Sequence, residues 1–189
     1  MREPRPLDTP SLDTERLLLR RFGPADEADV FRYCRDPEVA RLTSWEPHQS
    51  LDDTRRFLGW ALARYDEAVG GPWAMQLRET GEVVGAIGLT VIWPHLRGEI
   101  GYWIARPLWR HGLTTEASRA ILRYAFDDLE LNRVEARCEV ENAASERVMR
   151  KLGMTFEGTL RQQVYAKGRF RDMKLYSLLQ DEWRDGDPG

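Results

Sequence analysis

The sequence predicts an α/β fold in which a mixed sheet carries helices on both faces. Three observations support this prediction. The 189-residue chain is 42% hydrophobic, which is enough apolar material for the core of one domain. Three consecutive strand patterns occupy the middle of the chain. Helical and strand patterns then alternate towards the C-terminus, as is typical of a sheet covered by helices on both sides.

The first third of the chain predicts one strand and two helices. Thr14–Phe22 is rich in leucine and ends at a Gly-Pro pair, so it is predicted to be a strand. Ala25–Arg35 has apolar residues at near-helical spacing and acidic residues in its first turn, which indicates a helix. Ser50 and Asp53 form a variant of the capping box, and the helix that they open is predicted to reach about Tyr65.

The middle of the chain predicts a β-meander. Trp73–Arg78 and Val83–Trp93 read as strands, and Glu79–Glu82 between them contains the glycine of a hairpin turn. Glu99–Ile104 is predicted to be the third strand.

The last third of the chain predicts two helices and three strands. Thr115–Leu129 places its apolar residues on one face of a helix, and Arg133–Val140 alternates as a strand does. Asn142 is predicted to cap a short helix that ends before Gly153, where glycine suits the left-handed position after a helix. The two final strands are predicted at Thr155–Tyr165 and Phe170–Leu179.

The charge balance and the cysteine content narrow the class of protein. The chain has 31 acidic residues and 28 Lys and Arg, a net charge of −3, which argues against bulk electrostatic binding to nucleic acid or anionic lipid. Cys34 and Cys138 are too few for a disulfide framework, so we expect a cytoplasmic protein. His48, His95 and His111 have no ligand-like spacing, and we therefore expect no metal.

The chain is predicted to form one domain over residues 12–184. Residues 1–11 are polar and Pro-rich, without the apolar run of a signal peptide, and they are expected to form a flexible tail, as are residues 185–189. The longest mainly apolar run, Val83–Trp93, is too short to span a bilayer, and we therefore expect no membrane association.

A glycine-containing turn, Pro107–Thr114, joins the strand Glu99–Ile104 to the following helix. The amides of such a turn converge on one point, and the helix dipole adds roughly half a positive charge there. Arg110 and His111 lie in the same turn and can add side-chain donors. The turn is therefore either a pyrophosphate site or an ordinary strand-to-helix connection with a threonine cap.

Four motifs, in chain order, resemble the GNAT acyltransferase superfamily. Residues 110–117, Arg-His-Gly-Leu-Thr-Thr-Glu-Ala, look like its coenzyme A loop, and residues 141–154 look like its next motif. Residues 14–20, Thr-Glu-Arg-Leu-Leu-Leu-Arg, and residues 168–179 resemble the RimJ/RimL branch, which acetylates the N-termini of ribosomal proteins. The resemblance implies a mostly antiparallel central sheet of six to seven strands and acetyl-CoA as the cosubstrate.

The resemblance also implies a coenzyme site built on the glycine turn. Trp109 and Thr114 depart from the family's pattern, but Gly112 keeps its central flexible position. In the superfamily a backbone amide of the preceding strand stabilises the oxyanion, and this amide is expected within residues 103–105. The coenzyme-binding residues implied in this way are Trp103, Ile104, Ala105, Arg110, His111, Gly112, Leu113, Thr114, Thr115, Asn142 and Ser145.

One serine and two carboxylates are candidates for catalysis. Many GNAT enzymes protonate the leaving thiolate with a tyrosine at the position of Met149, whose thioether has no proton to donate. The ribosomal branch has a serine one turn earlier, so Ser145 is the candidate donor; the alternative is that Ser145 only caps the helix, and Asn142 has the same alternative. Glu99 is the candidate base, acting through water, and Glu157 is its rival; either could instead be a solvated carboxylate.

The expected reaction is N-acetylation of a primary amine, and the resemblance implies the α-amine of a ribosomal protein. Two alternatives stay open: acetylation of a small amine, such as a polyamine, an aminoglycoside or another antibiotic, and a non-catalytic regulator that binds acyl-CoA. An acidic acceptor pocket would favour a polycation. The sequence also leaves a homodimer open. The expected walls of the acceptor pocket are Trp45, Glu46, Tyr102, Tyr165 and Arg171.

Overall fold

An eight-stranded sheet forms the centre of the protein. The computed structural model describes residues 5–186, so the outermost residues of both predicted tails lie outside the described region. The strands follow the order β1-β2-β3-β4-β5-β6-β8-β7, and β5–β6 is the parallel pair among antiparallel neighbours. The strands are β1 (Leu12–Asp13), β2 (Leu17–Arg21), β3 (Trp73–Leu77), β4 (Val83–Ile92), β5 (Arg97–Ile104), β6 (Arg133–Glu139), β7 (Thr155–Ala166) and β8 (Arg169–Leu179).

This architecture confirms the predicted mixed, mostly antiparallel sheet. It has one strand more than the upper predicted number, because Leu12 and Asp13 pair with β2 as a separate short strand. The three residues between β1 and β2 form a turn, in which the amide of Thr14 donates to the carbonyl of Leu17 at 3.0 Å.

Six α-helices lie within residues 5–186, and none of them is long and apolar enough to cross a membrane. Four occupy predicted positions, whereas the second and sixth were not expected. The second begins where the sequence suggested only a helix end: Asp36 caps it by accepting the amide of Glu38 at 2.9 Å, and Pro37 takes its first position. The helices are α1 (Glu27–Cys34), α2 (Pro37–Ala40), α3 (Leu51–Asp66), α4 (Leu113–Arg123), α5 (Ala143–Lys151) and α6 (Gln180–Gly186).

The helices cover both faces of the sheet and form two separate cores. Leu113 of α4 and Met149 of α5 belong to one core, and Val30 of α1 and Leu58 of α3 belong to the other. The first three residues of β3, Trp73, Ala74 and Met75, alternate between these cores, because successive side chains of a strand point to opposite faces.

The packed part of the chain begins before the predicted domain boundary at residue 12. Leu7 is buried, and its amide donates to the carbonyl of Ala68 at 2.7 Å. The indole N–H of Trp73 donates to the carbonyl of Pro10 at 2.6 Å. The described part of the expected N-terminal tail therefore packs on the domain, because one leucine within the polar segment is buried.

The sheet opens along part of its length, between β5 and β6. These strands are paired from Arg97 and Arg133 as far as Ile100 and Ala136, and both continue beyond that point. Along the remainder, β5 pairs only with β4, and β6 pairs only with β8. The divergence leaves a gap in the middle of the sheet, and the candidate site is built around it.

Candidate active site

Two cavities open from the gap and share one set of side chains. The large cavity, of about 560 Å³, lies between α3 and the β7–β8 hairpin. The small cavity, of about 400 Å³, lies beside the N-termini of α4 and α5. The residues that line both are Leu42, Thr43, Tyr102, Trp103, Asn142 and Ser145. Ligands in the two cavities can therefore meet at the side chains of Tyr102 and Ser145.

Two left-handed residues shape the turn before α4. Gly112, the N-cap of α4, has a φ of 81°, and Arg110 has a φ of 68°. This conformation costs a non-glycine residue about 1–2 kcal/mol, so contacts elsewhere in the fold must hold the turn. Residues 112–115 line the small cavity, where first-turn amides without a partner in the helix and the positive end of its dipole attract an anion.

Cationic side chains surround the small cavity. Its lining contains four cations and one carboxylate, Glu38; the cations are Arg41, Arg110, Arg147 and Lys151. This excess of positive charge favours an anionic ligand. Of these four cations, only Arg110 was predicted from the sequence. Arg147 and Lys151 could have been recognised in the sequence as a pair, because residues four apart on a helix share one face.

The end of β5 offers a backbone edge to the small cavity. The amide of Ala105 already donates to the carbonyl of Val84 at 2.8 Å, so it is not the oxyanion donor expected within residues 103–105. Because N–H groups point alternately to the two sides of a strand, the Ile104 amide faces the side from which β6 has diverged. On that side the carbonyl of Ile104 accepts the indole N–H of Trp109 at 3.0 Å.

Nine of the eleven expected coenzyme residues line the small cavity; Ala105 and His111 line neither cavity. Ala105 is fully buried next to β4, and His111 is exposed on the outside of the turn. The main-chain carbonyl of His111 accepts a hydrogen bond from Arg16 at 2.9 Å.

Ser145 lies in the first turn of α5, where the cavities meet. Its Oγ lies 2.8 Å from Tyr102 Oη, in a hydrogen bond that either hydroxyl can donate. Asn142, not Ser145, caps the helix: its Oδ1 accepts the amide of Ser145 at 3.0 Å. The alternative that Ser145 is only a capping side chain is therefore wrong, whereas Asn142 is an N-cap. Burial raises the pKa of Tyr102 to about 12, which keeps the phenol protonated near neutral pH.

The two candidate bases lie in different places. Glu99 lines the large cavity, and its carboxylate is paired with Arg137, whose Nε donates to Oε1 at 2.9 Å. Glu157 lines neither cavity; it accepts from Arg133 at 2.6 Å and from Ser177 at 2.8 Å. The hydrogen bonds from Arg133 lower the pKa of Glu157 to about 2. Glu157 therefore links β7 to β6 and β8, and of the two carboxylates only Glu99 faces the site.

Aromatic side chains and two ion pairs form the walls of the large cavity. Its charged residues are Glu99 paired with Arg137 and Glu139 paired with Arg171, so the walls carry no net charge. Arg171 Nη1 donates to both carboxylate oxygens of Glu139, at 2.5 and 2.6 Å. The aromatic lining is Trp45, Phe57, Trp60, Tyr102 and Trp103.

Three of the five expected acceptor residues, Trp45, Tyr102 and Arg171, line the large cavity, and Glu46 and Tyr165 do not. Glu46 is exposed in the loop before α3. Tyr165 is 64% exposed, because its neighbours on β7 point into the cavity and the alternation of the strand turns its ring to the opposite face.

Sequence reasoning missed Phe57, Trp60 and Glu139. Phe57 lies on the apolar face of α3, which resembles any face that packs into a core, and Trp60 is 51% exposed beside its ring. Glu139 gives no local signal of its partner, since Arg171 is 32 residues away. Among the described residues, no group of three or more His, Cys, Asp or Glu could hold a metal ion.

Known proteins resemble this chain in both sequence and fold. Residues 16–155 match the acetyltransferase (GNAT) domain family. The chain is 34% identical over 171 residues to YoaA of Bacillus subtilis (strain 168), described as an uncharacterized N-acetyltransferase; the match covers 90% of this chain and 97% of that one. It is 27% identical over 134 residues to the ribosomal-protein-serine acetyltransferase of Escherichia coli (strain K12), covering 70% and 74%. A solved acetyltransferase (GNAT family) from Bacillus anthracis matches with a TM-score of 0.82 and 28% identity, over 92% of this chain and 100% of that chain.

A sheet that opens beside a glycine turn and a helix N-terminus, together with these relatives, defines an N-acetyltransferase. The chain belongs to the GNAT family. GNAT acetyltransferases use acetyl-CoA as the acetyl donor.

Proposed function

We propose that this N-acetyltransferase transfers an acetyl group from acetyl-CoA to the N-terminal α-amine of a protein or peptide. The observation that carries the proposal is the meeting of the two cavities at Ser145 and Tyr102. The small cavity suits an anionic coenzyme, and the large cavity has room for the first residues of a peptide. The thioester and the amine would then react at the shared side chains.

The small cavity fits coenzyme A in three respects. Its cations and the turn at residues 112–115 suit the pyrophosphate. The edge of β5 that is left open beyond Ile100 can pair with the amides of the pantetheine arm. Ser145, at the far end of the cavity, would lie at the sulfur. When bound, the coenzyme supplies the activated acetyl group.

Residues at the junction and next to it would meet the three demands of thioester aminolysis, in which a C–N bond forms and a C–S bond breaks. The amine must lose a proton, the carbonyl oxygen needs a hydrogen-bond donor, and the thiolate needs a proton. We assign the Ile104 amide as the hydrogen-bond donor to the carbonyl oxygen of the thioester. We assign Ser145 as the proton donor to the leaving thiolate, and Ser145 recovers its proton from Tyr102. Glu99 accepts the proton of the amine through water; an α-amine has a pKa of ~8, so no strong base is required.

Direct transfer is favoured over an acylated enzyme. Cys138 lines the large cavity, but burial raises the pKa of its thiol to about 11. A protonated thiol is a poor nucleophile. The acetyl group would therefore pass directly from the thioester to the amine.

The charge of the large cavity supports an α-amine rather than a polycation. A polyamine or an aminoglycoside binds best where carboxylates outnumber cations. Here each carboxylate is matched by an arginine, so the walls hold no surplus of negative charge. The name of the Escherichia coli relative, ribosomal-protein-serine acetyltransferase, points to a protein acceptor as well.

A panel of acceptors tests the proposal. We would incubate the protein with acetyl-CoA and peptides that begin with Ser or Ala, with spermidine and with an aminoglycoside, and locate the acetyl group by mass spectrometry. The matched control is the same peptide with a blocked N-terminus and a free lysine. We expect acetylation of the free α-amine only. A higher kcat/KM for spermidine or the aminoglycoside, or transfer to the lysine of the blocked peptide, would establish a different acceptor.

A further inference from the structure

The N-terminal motif at residues 14–20 lines neither the large nor the small cavity. Two of its residues nevertheless contact the coenzyme turn, residues 110–115, or the first turn of the helix that follows it. Thr14 Oγ1 donates to Glu116 Oε1 at 2.6 Å, and the amide of Arg16 donates to the same oxygen at 2.8 Å. Arg16 Nε donates to Glu116 Oε2 at 2.7 Å. Glu116 belongs to the first turn of α4, so the motif holds the start of this helix.

The same guanidinium also holds the turn itself. Arg16 Nη1 donates to the carbonyl of His111 at 2.9 Å. His111 lies between Arg110 and Gly112, the two residues with left-handed backbone. Arg16 therefore joins the middle of the strained turn to the first turn of the helix.

Arg16 is well placed for this purpose because its own backbone is fixed to the sheet. The carbonyl of Arg16 accepts the amide of Arg78, next to β3, at 3.0 Å. The following residue, Leu17, is fully buried, and its amide donates to Thr14 Oγ1 at 2.9 Å. The contacts to the turn thus start from a rigid part of the fold.

The ion pair also suits the charge of the small cavity. An unpaired carboxylate in the first turn of α4 would repel an anion bound at the helix N-terminus. Glu116 does not line the small cavity and is directed to Arg16 instead. Burial would raise the pKa of Glu116, but the hydrogen bonds from Thr14 and Arg16 outweigh it and lower the pKa, so the carboxylate is ionised near neutral pH.

We propose that Arg16 and Glu116 are positioning residues that hold the coenzyme turn in its binding conformation before acetyl-CoA arrives. The inference rests on the proposed binding of acetyl-CoA in the small cavity. A turn that is already ordered loses less conformational freedom on binding, which improves affinity. Neither residue contacts the reacting atoms, so turnover at saturating acetyl-CoA should change little.

Arg16→Met tests the inference, with CoA binding measured by calorimetry and steady-state kinetics measured with acetyl-CoA. We expect the Kd for CoA and the KM for acetyl-CoA to rise roughly 10-fold, as for the loss of hydrogen bonds to a charged group, and kcat to change less than about twofold. Arg16→Lys can keep the ion pair with Glu116, but a lysine lacks the fork that also reaches His111. The melting temperature of Arg16→Lys should therefore be close to that of the wild type, whereas its affinity for CoA should be as low as that of Arg16→Met.

Arg21→Met is the matched control. Arg21 also bridges a carboxylate, Asp8, and a backbone carbonyl, that of Thr9 at 3.2 Å, and its side chain is 48% exposed against 46% for Arg16. Arg21 lines neither cavity, so its loss should lower the melting temperature without changing the Kd for CoA. An unchanged Kd in Arg16→Met, or an equal rise in Arg21→Met, would overturn the inference.

Hydrogen exchange separates this inference from the proposed function. Without any ligand, the amides of residues 110–115 should exchange faster in Arg16→Met than in the wild type, and at the wild-type rate in Arg21→Met. If the wild type failed to bind CoA, the proposed function would fail while this measurement still stood. Unchanged exchange in Arg16→Met would show that Arg16 does not order the turn.

Discussion

In the proposed mechanism, the hydroxyls of Ser145 and Tyr102 would take the place of a proton donor that this chain lacks at Met149. Met149 is fully buried in the core formed with α4, and its side chain lines neither cavity. Ser145, one turn earlier on α5, lines both cavities and touches the phenol of Tyr102. The proposed route for the proton therefore runs from Tyr102 to Ser145 and on to the thiolate. The two hydroxyls come from different elements, β5 and α5, that meet only in the folded protein.

Ser145→Ala should lower kcat by ~10²-fold, the usual contribution of a general acid, because the leaving thiolate loses its donor. The KM for acetyl-CoA should change little, since this hydrogen bond matters mainly in the transition state. The melting temperature should also change little, because Asn142 still caps α5. Steady-state kinetics and thermal unfolding of one preparation measure all three quantities.

Tyr102→Phe is the companion variant for this prediction. It keeps the ring in the wall of both cavities and removes only the hydroxyl next to Ser145. We expect a smaller fall in kcat than in Ser145→Ala, because water can return the proton to Ser145. An unaltered kcat in Ser145→Ala would show that Ser145 is not the donor.

The site residues that sequence could predict are those that lie close together in the chain. The turn at residues 110–115 and the start of α5 were found because each is a continuous motif. Glu99 was predicted as well, but its partner Arg137 was not, since the two meet only in the folded sheet, at the point where β5 and β6 diverge. No local pattern reports such a pairing.

At the scale of single elements, Gly112 makes the turn before α4 possible. Its φ is 81°, and a Cβ added there would meet only Arg16 Nη2, at an ordinary 3.5 Å. Gly112→Ala should therefore destabilise the fold through the backbone, by about 1–2 kcal/mol. It should also weaken CoA binding, because a backbone that shifts to relieve the strain moves the amides of residues 112–115 away from a bound phosphate. Thermal unfolding and calorimetry with CoA measure the two effects.

Gly153→Ala is the matched control for this prediction. Gly153 follows α5 with a φ of 78° and has open space around it. Its substitution should cost similar stability and leave the Kd for CoA unchanged, since Gly153 lines neither cavity. Equal affinity losses in the two variants would mean that the effect comes from stability and not from the coenzyme turn.

The edge strand β7 is held to the sheet by a pH-sensitive contact. Glu157 on β7 accepts from Arg133 on β6 and from Ser177 on β8, and its pKa is lowered from 4.5 to about 2. A carboxylate whose pKa is lower in the folded state adds stability at neutral pH and loses it as the pH falls. This contribution should fade between about pH 5 and pH 2.

Glu157→Gln should therefore lose less stability than the wild type between pH 6 and pH 3. The urea midpoint at each pH measures the difference. Glu79→Gln, in the exposed turn between β3 and β4, is the control and should follow the wild type at both values. If Glu157→Gln showed the full wild-type loss, the contact would not be a source of the pH dependence.

At the scale of the whole molecule, the sequence predicted which segments form strands and helices but not where the sheet opens. Periodicity shows which face of an element is buried, and so it located β3 to β8 and the four longest helices. It carries no information on which strands are neighbours or where a pair diverges. The gap opens after Ile100 and Ala136 because β5 stays paired with β4 while β6 stays paired with β8. The two cavities are a property of that arrangement.

If the two cavities work together, one molecule that fills both should bind more tightly than either part. A suitable probe is CoA whose sulfur is joined through a carbonylmethyl bridge to the α-amine of a short peptide. We expect its Kd to be at least ~10-fold below that of S-carboxymethyl-CoA, which carries the bridge without the peptide, because linked groups bind at high effective concentration. Trp60→Ala removes an exposed wall of the large cavity alone, so it should weaken the peptide-bearing probe and leave S-carboxymethyl-CoA unaffected. Equal affinity of the two probes for the wild type would show that the large cavity does not receive the acceptor.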